Sequence, residues 1–200
     1  MKKSGPGSGS RSGSGSVALE IRELTPELWP AFQKLFGPNG ACAGCWCMWW
    51  RVPEGERFKD IHGAEAKRRQ KALVLAGKSR GLLAFADGEP VGWSAYGRRT
   101  DFAALARSRT LSCDDAEQVW SLPCFFIKSG WRARGVARAL LRAALASLQR
   151  QGARTAEAYP VRLPSSNAGA FTGTVPWLES EGFRVLTGRP RGRQRARRTL

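Results

Sequence analysis

The spacing of apolar side chains divides the chain into short strands and longer helices. Alternation with a period of two indicates a strand, and recurrence every three or four residues indicates a helix. Glycines end two of the helical patterns, at Gly77 and Gly152. The predicted elements are, in chain order, a strand at 17–22, helices at 26–36 and 58–76, a hairpin of strands at 82–86 and 91–96, a strand at 119–127, a helix at 134–151, a strand at 155–159, a short helix ending near Gly182 and a strand at 183–186. This order predicts a mixed α/β domain.

The two ends of the chain differ from the body in composition. Residues 1–16 contain twelve Gly, Ser or Pro residues, which is typical of a flexible leader or tag. Residues 189–200 contain six arginines and no acid, and we expect a solvated basic tail after a domain at 17–188. Because the ends hold nine of the 33 basic residues and no acid, about half of the net charge of +17 lies outside the body. A moderately basic body suits a polyphosphate ligand as well as DNA.

Composition limits the class of protein. Hydrophobic residues make up 42% of the chain, which is enough for a packed core. No apolar stretch approaches the roughly 18 residues of a membrane helix, and the N-terminus has no apolar signal segment. The five cysteines are an odd number and do not resemble a secreted disulfide framework. These features predict a cytoplasmic protein.

The most informative segment joins the strand that ends at Ile127 to the helix that begins near Arg134. The first amides of a helix have no partner within it, and the helix dipole makes that end positive. Gly135 and Ala137 leave room for an anion against the main chain, and arginines recur every four residues from Arg134. This pattern suits a diphosphate, although glycine here can equally serve close packing. The segment is neither a Walker A loop nor a Gly-x-Gly-x-x-Gly turn.

The same segment resembles a known family. The run from Arg132 to Ala137 is similar to the (Gln/Arg)-x-x-Gly-x-(Gly/Ala) signature of the GNAT acetyltransferase superfamily, in its usual place after a long strand. Glu181-Gly182-Phe183 resembles the family's helix-to-strand junction, and Cys45–Arg51 looks like a segment of one bacterial branch. The resemblance covers about residues 17–188. It implies an α/β (α+β) fold with a mixed, mostly antiparallel sheet, a splayed central strand pair and flanking helices.

The resemblance also implies a reaction and a cofactor. Acetyl-CoA would be the acyl donor, and a primary amine of a small molecule would attack its thioester directly in a ternary complex. The pantetheine arm would pair with the backbone of Phe125, Phe126 and Ile127. The pyrophosphate would lie on the amides of Arg132, Ala133, Arg134, Gly135, Val136, Ala137 and Arg138. Independently of the resemblance, Pro123 predicts a bulge that separates this strand from the one at 155–159, because proline cannot donate to a ladder. The alternative is an ordinary edge strand, where proline is also tolerated.

The catalytic side chains are less clear from the sequence. Many members of the family carry a tyrosine as general acid where this chain has Leu178. Tyr159, at the end of the neighbouring strand, is a candidate substitute acid, and Glu117 is a candidate base acting through water. Their alternative roles are a buried core tyrosine and a solvated strand end.

Cysteines and tryptophans cluster between the first two helices. Cys42, Cys45 and Cys47 could bind zinc together with Cys113 or Cys124, but the spacing departs from paired Cys-x-x-Cys units and we expect no metal. Nearby aromatic residues could line a site for an acceptor with an apolar body or could belong to the core. These residues are Trp46, Trp49 and Trp50, together with Trp120.

Three functions remain open at this stage. An acetyl-CoA-dependent N-acetyltransferase is the interpretation that the motif favours. A basic nucleic-acid-binding module would use the arginines near the C-terminus, but no aromatic residue is interleaved with them for base stacking. A non-catalytic acyl-CoA sensor would account for the leucine at position 178. The acceptor amine and a possible homodimer are not determined by the sequence.

Overall fold

The computed structural model describes residues 18–164, 166, 168–186, 188 and 191–200. The predicted leader at 1–16 lies outside these residues. The helices and strands are β1 (Leu19–Glu23), α1 (Trp29–Phe36), α2 (Phe58–Ile61), α3 (Ala64–Leu75), β2 (Gly81–Ala86), β3 (Glu89–Arg98), α4 (Ala103–Ala106), β4 (Trp120–Ile127), α5 (Val136–Arg150), β5 (Thr155–Ala158), α6 (Val175–Ser180), β6 (Arg184–Val185) and β7 (Ala196–Thr199).

The described strands form one sheet in the order β1-β2-β3-β4-β5-β7-β6. The pair β4–β5 is parallel, and the other neighbours are antiparallel. The predicted fold class, a mixed and mostly antiparallel sheet with flanking helices, is confirmed. A parallel pair needs a crossover connection, and α5 provides it between β4 and β5.

Local sequence explains the turns that bound these elements. Asp87 and Gly88 have φ values of 48° and 75°, the two positive values that a two-residue hairpin turn requires between β2 and β3. The predicted helix at 58–76 is divided into α2 and α3, because Gly63 has a φ of 75° and interrupts the helical path.

The sheet is covered on both faces, and β2 is buried along its whole length. One face packs against α5 through Leu140, Leu141 and Leu148. The other face packs against α1 through Phe32 and Phe36. Among the described residues, no helix is both long enough and apolar enough to span a membrane.

The C-terminal segment corrects the prediction of a solvated basic tail at 189–200. Residues Ala196–Thr199 form β7, which lies between β5 and β6 and pairs with both. Arginines in and next to β7 contact the protein itself: the Arg195 guanidinium donates to the Ser112 carbonyl at 2.6 Å, and Arg198 donates to the Glu181 carbonyl at 2.7 Å. A run of arginines is therefore compatible with a strand here because its charges are bound.

A buried ion-pair network fixes β7 to the sheet. Glu157 on β5 is fully buried and accepts from Arg99 Nε at 3.0 Å and from Arg197 Nε at 2.7 Å. Arg197 also donates to both carboxylate oxygens of Asp115 at 2.7 Å. The hydrogen bonds from Arg197 hold the pKa of Asp115 well below its usual value. A buried carboxylate needs such partners, because an unpaired buried charge is strongly destabilising.

Replacing Arg197 tests this network. The change Arg197→Ala removes the shortest ion pair of Glu157 and both hydrogen bonds to Asp115, and it leaves Glu157 with Arg99 at 3.0 Å and Arg195 at 3.9 Å. We expect the free energy of unfolding to fall by about 2 kcal/mol. Because the pKa of Asp115 is lowered in the folded state, its contribution is present at neutral pH and is lost as the pH falls below about 4. The difference between wild type and variant in denaturant unfolding should therefore shrink at low pH. The exposed Arg191→Ala is the control, and equal stability of the two variants would contradict the assignment.

Candidate functional site

A bulge in β4 separates the two central strands. Ala95 pairs with Cys124 and Gly97 with Ser121, so β4 has one extra residue in the stretch that contains Pro123. The parallel ladder with β5 ends at Leu122. The predicted splayed strand pair is therefore present, at the proline that predicted it.

The bulge is held in place by a tryptophan. The Trp50 indole Nε1 donates to the Pro123 carbonyl at 2.9 Å, and the Trp50 side chain is buried. The carbonyl that β5 no longer satisfies thus has a partner on the neighbouring loop. This hydrogen bond stabilises the separation of the strands, because the carbonyl keeps a partner.

A cavity of about 570 Å³ opens beyond the bulge. It lies between the end of β4, the beginning of α5, the segment before α6 and the loop at 41–49. Most of the residues that line it are apolar: Phe36, Ala41, Cys42, Ala43, Cys45, Cys47, Trp49, Phe58, Cys124, Phe125, Phe126, Ile127, Arg132, Ala137, Ala168, Ala170, Phe171, Gly173, Thr174 and Trp177. The ionisable side chains of this lining are one arginine and four cysteines.

The strand residues expected at the pantetheine arm line this cavity, namely Phe125, Phe126 and Ile127. The Phe125 amide donates to the Phe171 carbonyl at 2.6 Å, so a neighbouring loop uses this group in the present conformation. The Ile127 carbonyl accepts from Arg132 Nε at 3.3 Å. Because Arg132 is exposed, this second bond can be exchanged for another donor at little cost.

The turn before α5 contains the remaining residues of the expected pyrophosphate site. Ala133 and Gly135 have φ values of 58° and 80°, and the first α-helical bond runs from the Ala139 amide to the Gly135 carbonyl. The amides at 136–138 therefore have no acceptor within the helix. A Cβ built on Gly135 meets no atom within 4 Å, so open space lies above this turn. These features leave main-chain amides beside open space at the positive end of a helix, an arrangement that can accept an anion.

The arginine side chains of α5 are used differently from one another. Arg138 and Arg142 bind Glu181 at 2.5 and 3.0 Å and so hold α5 to the end of α6. Arg134 lies over the Trp131 ring at 5.3 Å and stays exposed. The three arginines that the sequence places on one side of this helix thus have different roles. Arg138 and Arg142 are paired with the Glu181 carboxylate, and Arg134 is not.

The four tryptophans proposed for the acceptor site occupy different places. Trp49 is 41% exposed, lines the cavity and packs edge-on against Phe58 at 4.9 Å. Trp50 supports the bulge and lies outside the cavity lining. Trp46 is buried against Phe36 at 5.7 Å, and Trp120 is buried at the opposite end of β4 beneath Arg98. The structure therefore brings one of the four, Trp49, to the cavity.

The two catalytic candidates lie away from the cavity. Tyr159 is fully buried, and its hydroxyl shares a 2.5 Å hydrogen bond with Ser121. Burial raises the pKa of Tyr159 well above its usual value. Glu117 is exposed in a short helical turn before β4, at the end of that strand remote from the cavity. Neither residue lines the cavity. In this conformation Tyr159 is therefore not placed to act there as an acid, and Glu117 is not placed to act there as a base.

Four thiols line the cavity instead. Cys42, Cys45 and Cys47 come from the loop and Cys124 from β4. Burial raises the pKa of Cys45 to about 11. The pKa of Cys47 is lowered by hydrogen bonds from the Cys124 thiol and the Trp93 indole, and that of Cys124 is raised well above its usual value by the same contact with Cys47. No three Cys, His, Asp or Glu side chains in the described part of the chain are grouped to hold a metal ion.

Some lining residues had no signal in the sequence. Phe171 and Thr174 approach β4 because the chain crosses the gap between β4 and α6, a long-range contact that local spacing does not encode. Trp177 packs edge-on against Phe125 at 5.2 Å. Its place next to Leu178, the position of the family's tyrosine, was the one available indication.

Comparison with known proteins identifies the family. The sequence profile described as "Acetyltransferase (GNAT) family" matches residues 43–171. The chain therefore belongs to the GNAT acetyltransferase family, as the signature at Arg132–Ala137 suggested. No curated protein sequence matches this chain significantly.

Solved structures support the fold. The ribosomal-protein-alanine N-acetyltransferase of Brucella melitensis is 16% identical with a TM-score of 0.56, covering 90% of this chain and 99% of that one. The acetyltransferase of Thermus thermophilus is 18% identical with a TM-score of 0.53, covering 92% and 99%. The yncA protein of Salmonella typhimurium, solved "with its cofactor Acetyl-CoA", is 17% identical with a TM-score of 0.54, covering 92% and 94%.

A phenylalanine substitution at Tyr159 separates a structural from a catalytic role. Because the hydroxyl contacts Ser121 away from the cavity, Tyr159→Phe should lower the free energy of unfolding by about 1 kcal/mol and leave turnover unchanged. Denaturant unfolding and release of free CoA thiol measure the two effects. A turnover at least tenfold lower with unchanged stability would instead support Tyr159 as the acid.

Proposed function

We propose that this protein is an acetyl-CoA-dependent N-acetyltransferase that acts on a primary amine of a small molecule. The proposal depends on one observation. A single continuous cavity runs along the separated end of β4 and reaches Arg132 and Ala137, at the turn before α5 that exposes main-chain amides. An extended thiol arm with a diphosphate at one end requires these two parts in this order. Family membership supports the choice of acetyl-CoA as donor.

The residues fit the nucleotide end of such a donor. The amides at 136–138 can donate to phosphate oxygens, and the open space above Gly135 can accommodate them. Arg132 and Arg134 are exposed beside the turn and can add charge-assisted hydrogen bonds. Val136 points into the core and fixes the position of the turn against the sheet.

The strand end fits the pantetheine arm through fewer groups. The Ile127 carbonyl can accept from an amide of the arm once the exposed Arg132 releases it. The Phe125 amide becomes available only if the Phe171 carbonyl moves from its 2.6 Å contact. We therefore propose that binding of the arm displaces the segment around Phe171.

The simplest chemistry is direct attack of the neutral amine on the thioester, in a ternary complex. The cavity would position the two reactants and exclude water, which is the main contribution that proximity makes to such a transfer. The lining residues that the structure describes include no carboxylate, histidine or tyrosine, so the ammonium proton would leave to water at the cavity mouth. The apolar lining, with Trp49 and Phe58 at one side, favours an acceptor whose body is apolar or aromatic.

The contacts of the C-terminal arginines do not favour nucleic-acid binding. Arg195, Arg197 and Arg198 are bound to carbonyls and carboxylates of the protein itself. A sensor without turnover differs from the enzyme in one measurable way, because a sensor binds acetyl-CoA but releases no CoA thiol in the presence of amines.

The two glycines that flank α5 provide a matched test of donor binding. Gly135→Glu places bulk and negative charge where the phosphates would lie, so acetyl-CoA should no longer raise Tm. Gly152→Glu is the control, because Gly152 also has a positive φ and open space around its Cβ but lies at the other end of the helix. At about 100 times Kd the donor stabilises the wild type by about 2.7 kcal/mol. Equal stabilisation of both variants would count against the site.

Turnover is tested with a panel of small primary amines and a thiol reagent that detects released CoA. We expect thiol release that depends on the amine, with aromatic or apolar amines preferred over polar ones of similar size. Binding of acetyl-CoA without thiol release for any amine would favour the sensor.

A further inference from the structure

The loop that carries three of the cavity thiols has an unusual backbone. The described residues include six non-glycine residues with positive φ, and four of them lie between 41 and 47. These four are Ala41 at 68°, Ala43 at 49°, Trp46 at 45° and Cys47 at 64°. Each such residue costs about 1 to 3 kcal/mol and persists where the surroundings determine it, most often at functional sites.

The surroundings of this loop do determine it. The Trp46 amide donates to the Gly40 carbonyl at 3.2 Å, and the Gly63 amide donates to the Gly44 carbonyl at 2.8 Å. A Cβ on Gly44 would lie 2.5 Å from the Gly63 nitrogen, so the loop lies directly on the chain before α3. Donor binding along β4 and the turn before α5 does not require this strained loop, so its role needs a separate explanation.

The strained conformation places the Cys47 sulfur beside a hydrogen-bond donor. The Trp93 indole Nε1 donates to Cys47 Sγ at 3.2 Å, and Trp93 is fully buried on β3. The neighbouring Cys124 thiol and the charge of the nearby Arg51 also lower the pKa of Cys47. An indole N–H can only donate, so this environment stabilises a thiolate at Cys47.

The other thiols have different environments. Cys45 remains protonated because burial disfavours its charge. The neighbouring Cys47 and burial raise the pKa of Cys124 well above its usual value, so that thiol remains protonated. Cys42 is exposed at the cavity edge. Cys47 is therefore the one cavity thiol that these described contacts prepare as a nucleophile.

We propose that Cys47 is an acyl-accepting nucleophile of the cavity, which takes the acetyl group from bound acetyl-CoA when no amine is present. The proposal rests on the proposed function, since it needs the donor in the same cavity. Cys47 shares that cavity with Phe125 and Phe126, the strand residues along which the thiol arm would lie.

The transfer is balanced without an added reactant. The Cys47 thiolate attacks the thioester carbonyl carbon, a new C–S bond forms, and the bond to the CoA sulfur breaks. The electron pair leaves with the CoA sulfur, which takes a proton from water. An amine that enters later attacks the acetyl-cysteine, its ammonium proton passes to water, and the Cys47 thiolate is restored. The exchange of one thioester for another is nearly neutral in energy, so the direct route and this route can operate in one cavity.

Mass spectrometry of the full-length protein tests the proposal directly. After incubation with acetyl-CoA and no amine, we expect a gain of about one acetyl group per chain, mapped to Cys47 by peptide fragmentation. Neutral hydroxylamine, which cleaves thioesters, should remove it. Cys47→Ser should lose the modification while keeping stabilisation by acetyl-CoA, and Cys113→Ser, outside the cavity lining, should keep both.

Two further variants distinguish acetylation by donor bound in the cavity from nonspecific reaction of an exposed thiol with acetyl-CoA. Gly135→Glu should abolish the modification because the donor no longer binds. Trp93→Phe, which removes the indole donor and keeps an aromatic ring, should slow acetylation of Cys47 about tenfold, because a hydrogen bond to a charged group is lost.

The outcomes are distinguishable from failure of the proposed function. If acetyl-CoA raises Tm but no acetyl group appears on Cys47, or if it appears on Cys42 instead, the proposal is wrong while the proposed function stands. If acetyl-CoA does not raise Tm, the proposed function fails and the proposal fails with it. Should Cys47→Ser not fold, mapping of the acetyl group in the wild type still decides the question.

Discussion

The missing N–H of Pro123 is the constraint on which the site depends. A parallel pair that continued beyond Leu122 would close the sheet at this point, and no slot for an extended ligand would exist between β4 and β5. Proline removes one donor from that ladder, and the bulge redirects the strand. The carbonyl of the same residue accepts a hydrogen bond from Trp50, so the bulge leaves this polar group with a partner. The cavity thiols, the strand end and the turn before α5 all take their relative positions from this separation.

A second constraint operates on the other side of β5. A strand with two adjacent arginines can join a sheet only where their charges find partners. For Arg197 these partners are the carboxylates of Glu157 and Asp115. The resulting network holds β7 against β5 and thereby stabilises the short strand that borders the gap. Burying Glu157 between two guanidiniums is costly unless all three groups are present, which makes the position of the C-terminal strand specific. Three arginines that contribute to the basic C-terminus, Arg195, Arg197 and Arg198, are thus part of the internal structure.

The sequence predicted those features of the fold that depend on the conformational preferences of a few neighbouring residues. The turn before α5, the hairpin at Asp87-Gly88 and the bulge at Pro123 each depend on the conformational preferences of one or two residues, and each could be predicted. The strand β7 could not, because Ala196-Arg-Arg-Thr199 is polar and its partners lie about 40 and 80 residues earlier in the chain. Tyr159 was assigned to the cavity because its strand borders it, but the direction of its hydroxyl depends on Ser121 across the sheet. The cysteines were recognised as a cluster, whereas their electrostatic differences depend on Trp93 and Cys124, which join them only in three dimensions.

The chemistry of the cavity follows from what the fold has excluded from it. Leu178 is fully buried in the core beneath the sheet, so the helix that could present an acid at this position presents an apolar side chain to the interior instead. Among the described residues that line the cavity there is no carboxylate, imidazole or phenol, and cysteine and arginine are its ionisable side chains. The loop fixes a thiol beside an indole donor at the cost of strained backbone angles. A cavity wall without a chemical role would not need this strain, since apolar residues could line the same space with relaxed backbone angles. The physical cost of the loop is one of the observations that support the proposed role of Cys47.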